Sequence, residues 1–556
     1  MILNRKSVFV IFVVGLALVI TLLCKPYNDI DDYYLSMIGN GLFSSDNYCI
    51  FIHPLFTSAI CYLHQCFPAI DFYLLFIRFF YLFAIGILAN RLYTLKISRR
   101  HSLICIGLII PLSFVNQNYT IFTAFLISCG LFLTFTHESN YGKADFVCSL
   151  LIVAFGCLLR RNVILLSLPF WACESLFNIK IRQKRKSPTN SLHKYHKEVA
   201  LAFIILSLLF TSLLVEVTNP NNFYGAQYNQ ARTATYDYPM LVWNNVEQHN
   251  TIGLTKNDYN SLIQDGLYGD TDTINIGYLE NIVKLGSNQF DFSHSGLHNS
   301  IKRIIRSSFS EVFFFPVLFV CLLLYFFVML NHIPILDKIK CSLIILGAIT
   351  ICFFFAFKGR LPGRVTISIM ILCSFPFLCS IERNKFILQK NSSTKRRKTL
   401  CFATAIAILS CACCLLQIAD HFILLHRQQQ TDLVFTSNEN DLYSPNKDDV
   451  FVWNTLHHYQ EAAIASTERG LLPTEEQMQH HIDYNFWGYG QPYMKDYLER
   501  LGVPNPIKAL LERPHTYLVA YDQTYVETYL QEHYDKQTKA IQIGTINSVP
   551  VWSFQQ

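Results

Sequence analysis

The stretch NDIDDYYLSMIGNGLFSSDNYCIFIHP, residues 28–54, follows the first apolar run directly and overlaps the start of a second one, at 50–67. Its beginning holds three carboxylates within four residues: Asp29, Asp31 and Asp32. Carboxylates at the point where a chain leaves a bilayer are costly unless they lie at an aqueous cavity or take part in a reaction. The alternative is a solvated loop in which one aspartate caps a helix.

The composition of the whole chain indicates a membrane protein. Of 556 residues, 52% are hydrophobic and only 15% are charged, and the mean hydropathy of +0.28 is too high for a soluble protein of this size. Many apolar runs have the roughly 17–25 residues that cross a bilayer. The 18 cysteines lie almost wholly inside these runs, so the sequence shows no disulfide framework.

The distribution of basic residues predicts the orientation. Arg5 and Lys6 precede the first run, which has no small-residue cleavage site, so we expect an uncleaved first helix and a cytoplasmic N-terminus. The run at 50–67 contains residues that fit a lipid-facing span poorly, and we expect it to lie in the membrane interface or to re-enter the membrane without crossing it. These residues are His53, Pro54, His64 and Gln65.

The fold class predicted from this pattern is a polytopic α-helical membrane protein with about 11 transmembrane helices. The basic loops at 180–197 and 383–398 then both face the cytoplasm, as the positive-inside bias requires. The predicted spans are about 7–24, 72–92, 102–116, 119–135, 145–159, 163–178, 199–217, 311–330, 341–357, 365–381 and 400–418.

Four regions follow from these spans: an N-terminal membrane module, 1–217, with a first external loop at 25–71; an extracytoplasmic loop domain, 218–308; further membrane helices, 309–418; and an extracytoplasmic α/β domain, 419–556.

Local signals predict structure inside the two external regions. Thr255 and Asp258 have the spacing of a capping box, and 297–306 has an apolar stripe opposite basic residues, typical of an interfacial helix. In the last region the pattern predicts strands at 450–453, 517–521 and 549–554 and helices at 494–501 and 524–533.

The arrangement resembles the GT-C superfamily of membrane glycosyltransferases, which use polyprenyl-phosphate-linked sugars. That superfamily keeps its catalytic carboxylate in the first external loop, and a soluble external domain follows the last helix. His53-Pro54 is similar to the His-Pro element of protein O-mannosyltransferases, although Leu55 replaces the second proline. Three short segments, 228–233, 236–239 and 257–259, resemble uncharacterised bacterial GT-C-like proteins; the second contains Tyr236 and Asp237. The Trp-Trp-Asp signature of oligosaccharyltransferases is missing, which argues against transfer of whole glycans to asparagine.

The resemblance implies an inverting enzyme of the bacterial cell membrane that moves a sugar from a polyprenyl-phosphate donor to a glycan or protein acceptor in the cell envelope. A carboxylate can deprotonate the acceptor hydroxyl, and we expect Asp31 or Asp32 in this role, with a slight preference for Asp32. Arginine binds a leaving phosphate bidentately. The expected substrate-binding residues are Asp29, His53, Arg160, Arg161, Tyr236, Asp237, Arg360 and Arg364. The paired carboxylates leave room for a divalent metal without requiring one, and we expect no nucleic-acid partner.

Several single features, and the chain as a whole, are also compatible with different roles. The arginines could be interfacial anchors, Asp237 a turn residue, and the aromatic loop 483–490 a sugar platform or simple packing. The histidines at 457–458 and 480–481 could bind metal.

The chain as a whole has two alternative functions. One is an O-antigen-type polymerase or ligase, which would use Arg and His in late loops. A transporter or flippase would need ionisable residues at mid-membrane, whereas we expect the charges to collect at the external surface.

Overall fold

A computed structural model describes most of the chain, and its described residues are chiefly helical. They are 5–23, 30–94, 118–136, 143–184, 196–237, 253–264, 267–285, 294–309, 314–331, 333–384, 446, 448–453, 472, 481–484, 486–546 and 549–555. The predicted spans at 102–116 and 400–418, Asp29, and the histidines at 457, 458 and 480 lie outside them.

The helices before residue 400 follow the predicted apolar runs closely. They are α1 (Arg5–Leu23), α2 (Ile30–Gly39), α3 (Pro54–Cys66), α4 (Phe72–Thr94), α5 (Tyr119–Phe135), α6 (Lys143–Leu159), α7 (Arg161–Lys184), α8 (His196–Thr218), α9 (Pro220–Arg232), α10 (Lys256–Asp258), α11 (Ile276–Leu285), α12 (His294–Phe309), α13 (Phe314–Leu330), α14 (Ile335–Phe357) and α15 (Gly363–Arg383).

Five of these helices are long and apolar enough to cross a membrane, and they indicate a membrane protein: α1, α4, α8, α14 and α15. Three further apolar helices, α5, α6 and α13, are shorter. Helix α3 has 13 residues, fewer than the roughly 20 that a span requires. This length agrees with the prediction that 50–67 does not cross the bilayer.

Helix α5 forms the centre of the bundle, since every one of its residues is buried. Gly130 lets α6 approach closely: a Cβ at this position would lie 2.3 Å from Val153 and 3.0 Å from the Ser149 carbonyl oxygen. The Ser149 hydroxyl donates to the Gly130 carbonyl at 3.0 Å. On its other side α5 packs against α15, so both helices are fixed relative to one core element.

A buried ionic network joins three helices at the end of the bundle opposite α2. Lys340 of α14 donates to Glu174 of α7 at 2.6 Å, and Arg383 of α15 donates to Asp337 of α14 at 2.8 Å. Arg383 also pairs with Glu174. The expectation that the charges collect at one surface is therefore wrong. It failed because these partners are far apart in sequence and no local pattern shows that they meet.

The segment between α8 and α13 confirms two local predictions. Thr255 and Asp258 form the capping box at the start of α10. The predicted amphipathic helix lies within α12, where three apolar side chains remain exposed, as suits a lipid interface: Leu297, Ile301 and Ile305. Two π-helical turns, Thr233–Asp237 and Tyr259–Gln264, follow α9 and α10 directly.

The C-terminal region contains a small mixed sheet, which confirms the predicted strands and helices. Its strands lie in the order β2-β1-β3-β5-β4, with β1 parallel to both neighbours and β5 antiparallel to both of its own. The elements are β1 (Val450–Trp453), β2 (His481–Asp483), α16 (Pro492–Arg500), α17 (Pro506–Glu512), β3 (Thr516–Val519), α18 (Thr524–His533), β4 (Lys539–Ile546) and β5 (Val549–Gln555). The sequence pattern did not predict β2, α17 or β4.

Candidate functional site

Asp31 and Arg364 form the centre of the candidate site. Asp31 lies in the first turn of α2, and Arg364 is the second residue of α15. The Arg364 Nη1 atom donates to Asp31 Oδ2 at 2.8 Å, and both side chains remain partly exposed, at 19% and 23%. A carboxylate and a guanidinium group that are 333 residues apart in sequence thus meet at an accessible point.

Asp237 holds two more arginines beside this pair. Arg232, at the end of α9, contacts the Asp237 carboxylate at 3.3 Å, and the π-helical turn between them brings Asp237 back over Arg232. Arg360 pairs with the other oxygen of Asp237. Burial lowers the pKa of Arg360, the charges of Arg364 and Arg232 lower it further, and Asp31 opposes them. These groups therefore share one electrostatic environment.

Arg160 reaches the same environment from the end of α6. Its guanidinium group lies 4.3 Å from the centre of the Tyr119 ring and donates to the Thr120 hydroxyl at 2.6 Å. The Tyr119 phenol interacts electrostatically with Arg160, Asp31 and Arg364. We call this group the arginine site: Asp31, Arg160, Arg232, Asp237, Arg360 and Arg364.

Asp32 bonds to the start of α5 and to α4. The residue is 2% exposed, and its carboxylate accepts hydrogen bonds from the Tyr119 N–H at 3.0 Å and the Tyr73 hydroxyl at 3.2 Å. Tyr119 is the first residue of α5, so Asp32 satisfies a free N–H at the positive end of that helix. The hydrogen bonds of Asp32 therefore have a structural role, and Asp31 is the more exposed of the two acids.

His53 and Arg161 both bond to α8 rather than to the arginine site. His53 Nε2 lies 2.9 Å from the Leu208 carbonyl oxygen, while Nδ1 accepts the Leu55 N–H at 3.1 Å and caps α3. Burial lowers the pKa of His53. Arg161 donates to Glu216 at 2.8 Å and to Ser212 at 3.1 Å. Both residues position α3 and α7 against α8.

The aromatic loop 483–490 packs against the stretch that follows α1. The Tyr34 hydroxyl donates to Asp483 Oδ2 at 2.8 Å, and the Phe486 ring stacks on Phe43 with centroids 5.5 Å apart. Trp487 lies edge-on to Phe51 at 4.8 Å, and the guanidinium group of Arg160 lies 5.8 Å from the same Phe51 ring. Of the two alternatives for this loop, packing is the one that the contacts show, and it places the C-terminal region next to the arginine site.

The charge balance of the arginine site suits an anion. Within the part of the chain that the structure describes, the four guanidinium groups of the site outnumber the carboxylates of Asp31, Asp32 and Asp237, and three of the four pair with Asp31 or Asp237. Arginine pairs with phosphate through two parallel hydrogen bonds. Among the described residues, Asp31 and Asp32 belong to no group of three close metal ligands, and Asp29 lies outside those residues.

One residue of the site, Arg232, was not selected from the sequence. It lies five positions before Asp237, a spacing that an ordinary α-helix does not bring together but the π-helical turn does. Tyr236, in that same turn, packs edge-on against Tyr268 with centroids 5.9 Å apart. In the sequence, the local signal for selecting Arg232 would have been the spacing of five residues between this arginine and Asp237.

No family model matches the chain, and neither a curated protein nor a solved structure matches it.

Proposed function

We propose that the chain is an integral-membrane, inverting glycosyltransferase of GT-C type that transfers a sugar from a polyprenyl-phosphate donor to an extracytoplasmic acceptor of the cell envelope. In this proposal about eleven helices span the membrane, the N-terminus is cytoplasmic, and both external regions lie on the donor side. The observation that carries the proposal is the partly exposed Asp31–Arg364 pair beside Arg360 at one end of membrane-length helices.

The proposed reaction assigns one role to each side of this pair. An acceptor hydroxyl attacks the anomeric carbon and gives its proton to the carboxylate of Asp31. The bond from that carbon to the phosphate oxygen breaks, and the polyprenyl phosphate leaves with the electron pair. Arg364 and Arg360 bind the phosphate and stabilise the charge that develops on it. We assign the base to Asp31 because Asp32 is occupied at the N-terminus of α5.

The Asp31–Arg364 contact also bears on how donor binds. A donor phosphate competes with the carboxylate of Asp31 for the guanidinium group of Arg364. In this proposal, donor binding weakens the contact between Arg364 and the acid that acts as the base.

An apolar pocket lies deeper in the same bundle, between α4, α5, α13 and α15, and its walls are almost entirely hydrocarbon. Its lining on α15 begins at Ile371, about 10 Å along the helix from Arg364. An isoprenyl chain requires such a surface below its phosphate. The lining residues are Leu88, Leu92, Phe125, Ser128, Cys129, Phe132, Val317, Val320, Leu324, Ile371, Ser374, Phe375 and Leu378.

The buried ionic network bears on the transporter alternative, because ionisable residues inside a bundle often mark a transport path. Among the described residues, two carboxylates, Glu174 and Asp337, face two cations, Lys340 and Arg383, and each has a partner within the network. This pairing favours a structural role, so the transporter ranks behind the O-antigen-type polymerase or ligase among the alternatives.

Binding of lipid phosphate to purified protein tests the proposal. We expect a polyprenyl-phosphate sugar to bind while the free polyprenol does not. Arg364→Ala should weaken binding more than Arg364→Lys, because lysine keeps the charge but loses the two-pronged geometry. Arg161→Ala is the matched control, since Arg161 bonds to Glu216 outside the site. Equal binding by the wild type and Arg364→Ala would contradict the phosphate assignment.

A further inference from the structure

A group of three potential metal ligands lies where the loop region meets the C-terminal domain, apart from the arginine site. Asp258 ends α10, whereas Glu532 and His533 end α18. One ligand atom from each residue lies within 4.8 Å of the other two. Asp258 is buried, Glu532 is exposed and His533 is partly exposed, so the group is anchored on one side and open to solvent on the other.

The hydrogen bonds around Asp258 leave one of its oxygens directed at His533. Asp258 Oδ2 accepts the Thr255 N–H at 3.0 Å and the Tyr278 hydroxyl at 3.5 Å. Asp258 Oδ1 then lies 2.7 Å from His533 Nε2. Outer hydrogen bonds that fix one carboxylate oxygen and orient the other are typical of metal sites in proteins.

The other two ligands are also held in place. The Thr255 hydroxyl donates to Glu532 Oε2 at 2.8 Å, so Thr255 orients two of the three ligands. The Tyr529 ring packs on the His533 imidazole with centroids 4.3 Å apart, and its hydroxyl donates to Asp270 Oδ2 at 2.8 Å. Asp270 adds a third carboxylate to the neighbourhood, and this excess of negative charge favours a cation.

We propose that Asp258, Glu532 and His533 bind a divalent ion of the zinc class, with Asp258 Oδ1 and His533 Nε2 among its ligand atoms. One imidazole nitrogen and two carboxylate oxygens form a donor set that suits zinc, with water as the fourth ligand. The ion joins the segment around α10 to α18. The site therefore fixes the loop region to the C-terminal domain, whatever reaction the arginine site performs.

Metal analysis of the full-length purified protein tests this site. After loading with Zn²⁺ and removal of free ion, we expect one zinc per chain and a higher unfolding midpoint than in EDTA, because an ion that binds the folded state stabilises it. His533→Gln and Glu532→Gln should each lower the zinc content several-fold and remove the rise in midpoint. A wild-type zinc content no higher than that of His533→Gln would overturn the proposal.

His515 provides the matched control. Its Nδ1 lies 3.1 Å from Asp449 Oδ1, but this histidine–aspartate pair belongs to no three-ligand group among the described residues. His515→Asn should keep the full zinc content, and equal loss in His515→Asn and His533→Gln would contradict the assignment.

X-ray absorption spectroscopy of the zinc-loaded wild-type protein identifies the atoms that coordinate zinc without the use of any variant. Nitrogen and oxygen ligands with one imidazole are expected. Sulfur ligands would place the ion at cysteines and overturn the proposal.

Discussion

At the scale of single residues, neighbouring acids of one helical turn have different surroundings. Adjacent side chains on a helix point about 100° apart, so Asp31 faces Arg364 while Asp32 faces the start of α5. The sequence predicts that the two acids differ but not which one meets the arginines, because that depends on where α15 lies.

A stability comparison separates the two acids. We expect Asp32→Ala to lower the free energy of unfolding by about 0.5–2 kcal/mol, since it removes a hydrogen-bond acceptor from the N-terminus of α5. Asp31→Ala removes a partly exposed ion pair and should cost less than about 1 kcal/mol. Thermal unfolding in detergent measures both. A larger loss for Asp31→Ala would reverse the structural assignment.

The buried His53 predicts a pH dependence of stability. Burial lowers the pKa of His53 in the folded chain, so the unfolded chain binds a proton first, at about pH 6.5. The contribution of neutral His53 is present above that pH and is lost as the pH falls toward the folded pKa. The unfolding midpoint of the wild type should therefore fall more steeply below about pH 6.5 than that of His53→Gln. Parallel pH profiles would show that His53 titrates alike in both states.

At the scale of elements, the buried network predicts that replacing its lysine lowers the free energy of unfolding by an unusually large amount. Lys340→Met should destabilise the protein by about 3–5 kcal/mol, because it leaves Glu174 with less compensation in a buried site. Adding Glu174→Gln should recover part of this loss. The exposed pair Lys495–Glu499 is the control: Lys495→Met should cost less than about 1 kcal/mol. Equal effects of the two lysine substitutions would mean that the network does not hold α7 to α14.

The elements also show how much of the fold follows from the sequence. The hydrophobic run predicts α5 at its observed bounds, local helix signals predict α18, and Thr255 and Asp258 predict their own capping box. These features depend on neighbours in the chain. The pairing of Lys340 with Glu174 and of Arg232 with Asp237 could not be predicted, since the first depends on tertiary packing and the second on a π-helical turn. Most members of the arginine site were therefore accessible to sequence reasoning, and its geometry was not.

At the scale of the whole molecule, the C-terminal region packs against the proposed catalytic loop. Phe486 covers Phe43, and Asp483 accepts the Tyr34 hydroxyl. We expect a chain lacking residues 425–556 to insert into membranes, because the apolar helices drive insertion, but to lose transfer to acceptor. Phe486→Ala, which keeps the domain and removes the stacked ring, should cause a smaller loss. Normal transfer by the truncated chain would rule out an acceptor role for this region.

Release of polyprenyl phosphate from a polyprenyl-phosphate sugar, measured for purified wild-type protein and for Asp31→Asn, tests the proposed glycosyltransferase activity most directly. Asparagine keeps the size of the side chain and loses its basicity, and loss of a general base typically costs about 10²–10⁴ in rate. We expect turnover by the wild type with one or more donor sugars, and a loss of that order in Asp31→Asn while donor binding persists. Turnover by Asp31→Asn at the wild-type rate would contradict the proposed function, as would the absence of turnover with every donor offered to the wild type.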